Sequence, residues 1–210
     1  MESSAQRRLI EEVANVVISH ADELTTLDQA IGDGDHGLNM KRGALAILER
    51  LDDLAAKPLP DALTAAGQTL VMKVGGASGP LYGTLLMTLG KDLPMAPSRD
   101  ELARAVGLAV AAVKKIGRSD VGQKTMLDVL GPVHEELASG GSGLVDRVRQ
   151  RGAAAADATV PMKAIKGRAS FLGERSIGHM DPGARSASLM IAAVCTVMED
   201  RKSTRLNSSH

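Results

Sequence analysis

Tyr82 and Phe171 are the only Phe, Tyr or Trp residues in a chain of 210, and that scarcity narrows the fold more than any other feature. Sheets draw on aromatic and β-branched side chains to fill a pleated, half-buried surface. Hydrophobic residues still make up 44% of the chain, so the core must be built from Leu, Ala, Val, Ile and ten Met. Ala, Leu and Met are strong helix formers. An all-α fold follows, and the length suits one substantial domain, placed over residues 1–201.

Apolar periodicity predicts about eight helices joined by loops of ordinary length, with no internal repeat. The first carries Leu9, Ile10, Val13, Val16 and Val17 on one face, runs towards Leu24 and then gives way to an Asp-rich loop. Further helices are predicted from about Asp35 to Leu51, Leu63 to Met72 and Pro80 to Leu89. Ser98 and Glu101 have the spacing of a capping box, which opens a helix ending near Ile116-Gly117. The next spans about Gln123 to Leu137, where Gly131-Pro132 should kink or interrupt it. The last two cover Leu144 to Ala158 and Ala184 to Met198. Residues 202–210 are polar and aperiodic, and are set aside as a disordered or non-native tail.

Several function classes fall away on composition. Lys plus Arg and Asp plus Glu number 25 each, and the chain has no basic run, zinc-finger spacing or aromatic stacking platform. Nucleic acid is therefore not an expected partner. Cys195 stands alone in the apolar run Leu189 to Cys195, which makes it a core thiol rather than a nucleophile. No signal sequence or apolar stretch of spanning length is present, so no membrane role is expected and a reducing, cytoplasmic location is the default.

The chemistry is densest at Leu27 to Met40, which reads LDQAIGDGDHGLNM. Asp28, Asp33 and Asp35 place three carboxylates within eight positions, with glycines that let the chain turn between them. A GDGD tetrapeptide alone is also an ordinary surface turn. An EF-hand is excluded, because the twelfth position from Asp33 is Ala44 and from Asp28 is Asn39, where a Glu is required. Crowded carboxylates without a nearby Cys are hard oxygen ligands, which point to Mg²⁺ and, with Mg²⁺, to bound phosphates.

Three more segments are rich in Gly and small polar residues. Gly75-Gly76-Ala77-Ser78-Gly79 precedes a predicted helix, so free N–H groups and a Ser hydroxyl can meet an anion there. It is neither a Walker A motif nor a dinucleotide fingerprint, since no Lys-Ser/Thr pair follows and no strand precedes. The second segment is Gly117 to Met126. The third, Gly167 to Gly183, is a long polar loop of the kind that carries function. In it Arg168 and Arg175 are candidate phosphate ligands, and His179, like His36, is a candidate acid/base group; structural roles fit each equally well.

Four long segments in this order, LDQAIGDGDHGLNM, GGASGPLYGT, GRSDVGQKTMLDVL and GRASFLGERSIGHMDPGA, carry a resemblance across residues 5 to 200. The chain resembles the nucleotide-binding L subunits of bacterial dihydroxyacetone kinases, the DhaL or DAK2 domain family. The resemblance implies a barrel of eight antiparallel helices with the nucleotide site formed by loops at one end. It implies that Asp28, Asp33 and Asp35 ligate two Mg²⁺ ions bridging the phosphates of ADP or ATP. By the same resemblance His36, Gly37, Leu38 and Asn39 follow along the nucleotide, and Ala77 and Ser78 hold phosphate, with Gly79 and Thr84 nearby. Gly117 and Met126 match the adenine end. Arg168 and the Asp181-Pro182-Gly183 turn match further nucleotide contacts, and Arg168 joins the aspartates as a catalytic candidate.

The implied activity is phosphoryl transfer to dihydroxyacetone held covalently by a histidine of a separate K subunit. A phosphohistidine M subunit, charged from phosphoenolpyruvate, would recharge the resident ADP in place. A kinase subunit for another small polyol or triose, and a nucleotide-state sensor docking on a transcription regulator, are the two other roles this resemblance leaves open.

Overall fold

Ala- and Leu-rich stretches fold into ten α-helices and one 3₁₀ segment, with no strand, among the residues that the computed structural model describes, 3–207. They are α1 (Ser3–Ser19), α2 (Ala21–Ile31), α3 (His36–Leu48), α4 (Leu51–Ala56), α5 (Leu59–Lys73) and α6 (Ser78–Asp92). α7 (Arg99–Gly117), α8 (Leu127–Ser139), α9 (Leu144–Asp157) and α10 (Pro182–Asn207) complete the set. The 3₁₀ segment, Arg168–Ser176, lies between α9 and α10 and is broken at Gly173.

The predicted count of eight becomes ten because the first two helices each divide. At His20 the backbone leaves α geometry, and the imidazole Nδ1 bonds the Val16 carbonyl at 2.8 Å. At Arg50 it leaves again, and the guanidinium turns to Thr69 Oγ1 at 2.7 Å and Asp53 at 2.7 Å. α2 also runs on to Ile31, so Asp28 sits on a helix rather than in the loop that follows. Pro132 does not interrupt α8, which begins only at Leu127 and is packed between α7 and α9. α10 continues past Met198 to Asn207, and residues 208–210 of the expected tail lie outside the described residues.

Capping is visible where the sequence carries it. Ser98 Oγ accepts the Glu101 N–H, and the Glu101 carboxylate accepts the Ser98 N–H at 2.8 Å, which closes the capping box of α7. Asp181 accepts the Ala184 N–H at 2.7 Å, and Pro182 is the first residue of α10, a position that needs no N–H.

Neighbouring helices pack in a closed cycle: α1 on α3, α3 on α5, α5 on α6, and so on through α10, which returns to α1. α2 and α4 lie outside that cycle, against α3 and α1 respectively. The core cluster buries Val113, Leu127 and Val129 among small residues such as Ala14, Ala156 and Ala184, and Leu24 of α2 joins it. Tyr82 is the one aromatic ring in this core, whereas Phe171 is 89% exposed. Cys195 is buried, and burial pushes its thiol pKa up, as a core role requires. No helix of the described residues is long and apolar enough to cross a membrane.

Candidate active site

Four connections, α2–α3, α5–α6, α7–α8 and α9–α10, meet around one cleft, and they are every second connection of the helix cycle.

The aspartate cluster is built from both sides of the α2–α3 connection. Asp28, buried on the last turns of α2, accepts the backbone N–H groups of Asp35 and His36 on one oxygen, at 2.9 and 3.0 Å. Those N–H groups open α3, so the carboxylate satisfies donors that a helix start leaves free. Gly32 is needed for the approach, because a Cβ there would lie 2.1 Å from Asp28 Oδ1. Gly34 has φ +76°, a left-handed turn that glycine adopts without strain. The result brings ligand oxygens of Asp28, Asp33 and Asp35 all within 4.8 Å of one another.

Three carboxylates at that spacing repel by roughly 3 kcal/mol per pair at an effective dielectric near 20. Arg168 offsets part of this, with Nε 3.0 Å from Asp33 Oδ2, but its side chain is mostly exposed and such a pair is weak. A divalent cation relieves the whole cluster. The donor set is oxygen only: both ring nitrogens of His36 are already engaged, Nδ1 with Ser78 Oγ at 3.1 Å and Nε2 with Ser186 Oγ at 3.0 Å. These residues fit Mg²⁺, and do not fit a metal that prefers sulfur or nitrogen.

Opposite the aspartates, Ala77 and Ser78 stand at the N-terminus of α6, a full-length helix whose first N–H groups and dipole favour an anion. Ser78 is tied to the aspartate loop through His36, and His36 to α10 through Ser186. Ser186 Oγ in turn lies 2.7 Å from the Tyr82 hydroxyl. This buried chain of hydroxyls and imidazole joins α3, α6 and α10 beneath the cleft. Burial is the main reason the His36 imidazole lies below its ordinary pKa and the Tyr82 phenol above its own.

The floor carries a second group of buried charges. Asp181 is pushed up to about 7, chiefly by burial, although the Ala184 N–H and nearby Lys124 pull the other way. Asp128 accepts the Gly122 and Thr125 N–H groups and so folds the α7–α8 loop back onto the start of α8.

Of the residues singled out in the sequence, Asp28, Asp33, Asp35, His36, Ala77, Ser78, Met126, Arg168, Asp181, Pro182 and Gly183 line this cleft. Gly37, Leu38, Asn39, Gly79, Thr84 and Gly117 do not line it. Asn39 packs behind the Gly75 turn, Thr84 lies further along α6, and Gly117 ends α7. Arg175 and His179 are exposed outside the cleft. Tyr82, Lys124, Thr125 and Ser186 were not singled out in the sequence, although the first three lie within the GGASGPLYGT and GRSDVGQKTMLDVL segments.

The chain matches the DAK2 domain family over residues 30–196. It is 45% identical over 172 residues to the PEP-dependent dihydroxyacetone kinase 1, ADP-binding subunit DhaL, of Listeria innocua, covering 81% of this chain and 84% of that protein. It is 39% identical over 185 residues to the corresponding subunit of Escherichia coli, covering 84% and 88%. The crystal structure of the dihydroxyacetone kinase from C. freundii in complex with AMP-PNP and Mg²⁺ superposes with a TM-score of 0.75 at 25% identity, over 92% of this chain and 34% of that one. On this match in sequence and fold, the chain belongs to the DAK2 domain family, among its DhaL subunits.

Proposed function

We propose that this chain carries the nucleotide in a phosphoenolpyruvate-dependent dihydroxyacetone kinase, holding ADP or ATP with two Mg²⁺ ions at the head of the cleft. The observation that carries the reading is the meeting of three carboxylates and the N-terminus of α6 across one cleft. Asp28, Asp33 and Asp35 hold the ions. Ala77 and Ser78, backed by Gly79 and Thr84, offer N–H groups and a hydroxyl to phosphate. His36 to Asn39, and Gly117 with Met126, flank the rest of the nucleotide, while Arg168 and the Asp181-Pro182-Gly183 turn close it from the α9–α10 side.

When bound, Mg²⁺ and nucleotide supply the transferable phosphate and neutralise its charge. The chain's own contribution is positioning: fixed N–H dipoles, an arginine on an exposed loop and a buried hydrogen-bonded floor that cannot reorganise cheaply. The closed helix cycle supports a barrel of eight antiparallel helices, because alternate connections then share one end, where the cleft lies. In this reading dihydroxyacetone is presented by a K subunit. A phosphohistidine M subunit then restores ATP from ADP in place.

ADP affinity and dissociation rate, measured with Mg²⁺ and with chelator, test the reading. Tight, slow, Mg²⁺-dependent retention is the expected result, followed by transfer from phosphoenolpyruvate to dihydroxyacetone once K and M subunits are added. Fast exchange would make ATP a consumed substrate, transfer to a different triose would reassign the acceptor, and absence of binding would overturn the proposal.

A further inference from the structure

The segment that carries Arg168 leaves the body of the fold after α9 and returns before α10, and one side chain holds both of its ends. Lys124 Nζ donates to the Met162 carbonyl at 3.0 Å and to the Ser176 carbonyl at 2.6 Å. Two carbonyls on either side of the segment thus meet on one atom, which closes residues 162–176 into an Ω-loop. The neck has further stitches: Ser176 Oγ accepts the Ala164 N–H at 2.9 Å, and the Ile165 N–H reaches the Gln123 carbonyl beside Lys124.

Lys124 is an expensive residue for this task. It is 1% exposed, and burial lowers its pKa. Its nearest polar partners are main-chain carbonyls, with the Asp181 charge acting from further away. Its backbone has φ +61°, a left-handed conformation unfavourable for an L side chain. A buried ammonium and a strained backbone persist only where surrounding structure demands them. Both side-chain hydrogen bonds go to the neck of the loop and to nothing else in the cleft.

The loop itself rests on the end of α2 through a small apolar cluster of Ile31, Ala164 and Ala169, with Leu172 packed against it. From that seat Arg168 reaches Asp33. The arginine is largely exposed, so its place over the aspartates depends on where the loop stands rather than on packing around its own side chain.

We propose that Lys124 is a positioning residue: by clasping both ends of the 162–176 loop it sets where Arg168 stands relative to the aspartate cluster. The part of this inference that concerns nucleotide rests on the function proposed above; the part that concerns the loop does not.

The test compares Lys124→Met, which keeps the stem and loses the donors, with Lys124→Arg, which keeps donors. Amide hydrogen exchange is expected to speed up by about tenfold or more across 163–175 in Lys124→Met, with α5 and α6 unchanged, and to return towards the native rate in Lys124→Arg. Unchanged exchange in the loop would overturn the clasp even if nucleotide binding fails. Mg·ADP affinity supplies the second arm, as a cycle with Arg168→Ala. Arg168→Ala is expected to weaken binding about tenfold in the native background and less than about twofold in Lys124→Met. Additive losses would mean that Lys124 does not act through Arg168. Should Lys124→Met fail to melt cooperatively, Lys124→Gln is read in its place; if neither folds, the lysine serves the body of the fold and the proposal is wrong. Failure of the native chain to bind Mg·ADP would sink the functional reading and leave the exchange arm to decide the clasp.

Discussion

Asp28 serves two environments with one carboxylate. Its Oδ2 accepts the two N–H groups that open α3, and its Oδ1 occupies the space that a side chain at position 32 would need. Gly32→Ala is therefore expected to turn the carboxylate away. We expect a stability loss of about 1–3 kcal/mol in a denaturant melt. A fall in Mg²⁺-dependent ADP affinity of about tenfold or more should accompany it by calorimetry. Unchanged affinity would show that Gly32 does not position the ligand. Asp33→Asn separates charge from fold. Asp33 pairs only with a mostly exposed arginine, so the melt and the helical circular dichroism should barely move. Mg²⁺-dependent ADP binding should be abolished, and a variant that still binds Mg·ADP at full affinity would remove the metal assignment.

Three helices are locked to one another by a single hydrogen-bonded chain, Ser78 of α6 to His36 of α3 to Ser186 of α10 and back to Tyr82 of α6. Tyr82→Phe deletes one end. Ser186 retains the Gly183 carbonyl and His36 as partners, so no buried group is orphaned, and a loss of about 1 kcal/mol is expected. ADP should bind a few-fold more weakly while Mg²⁺ dependence persists; a larger stability loss with untouched binding would make the tyrosine purely structural. Elements of this kind were only partly legible in the sequence. Local signals were: the Ser98–Glu101 box and the crowding of aspartates each act within a few residues. The breaks at His20 and Arg50 were not, since each depends on a side chain reaching a carbonyl or another helix. Nor was the partner of Lys124, which lies at positions 162 and 176 and leaves no periodic trace. Gly37, Leu38, Asn39, Gly79, Thr84 and Gly117 do not line the cleft, and nothing at their own sequence positions sets them apart from the residues that do.

At the scale of the whole molecule, a core almost without aromatics closes a cycle of helices and places charged groups under the cleft at one end of it. That arrangement makes stability depend on pH in an unusual direction. Asp181 has its pKa raised from an ordinary carboxylate value to about 7, chiefly by burial. Folding therefore raises its proton affinity, and the stabilisation is fully present below the unfolded value near 4 and is lost as pH rises through about 7. His36 opposes it: burial lowers its pKa below the ordinary histidine value, so its contribution is lost as pH falls below that value. Comparing the native chain with Asp181→Asn cancels the His36 part, and Asn retains an oxygen to accept the Ala184 N–H. In nucleotide-free protein, calorimetric melts should show the native chain losing up to a few kcal/mol more than Asp181→Asn between about pH 5 and pH 7.5. Parallel pH profiles would mean that Asp181 is ionised throughout, held so by the Ala184 N–H and the Lys124 charge.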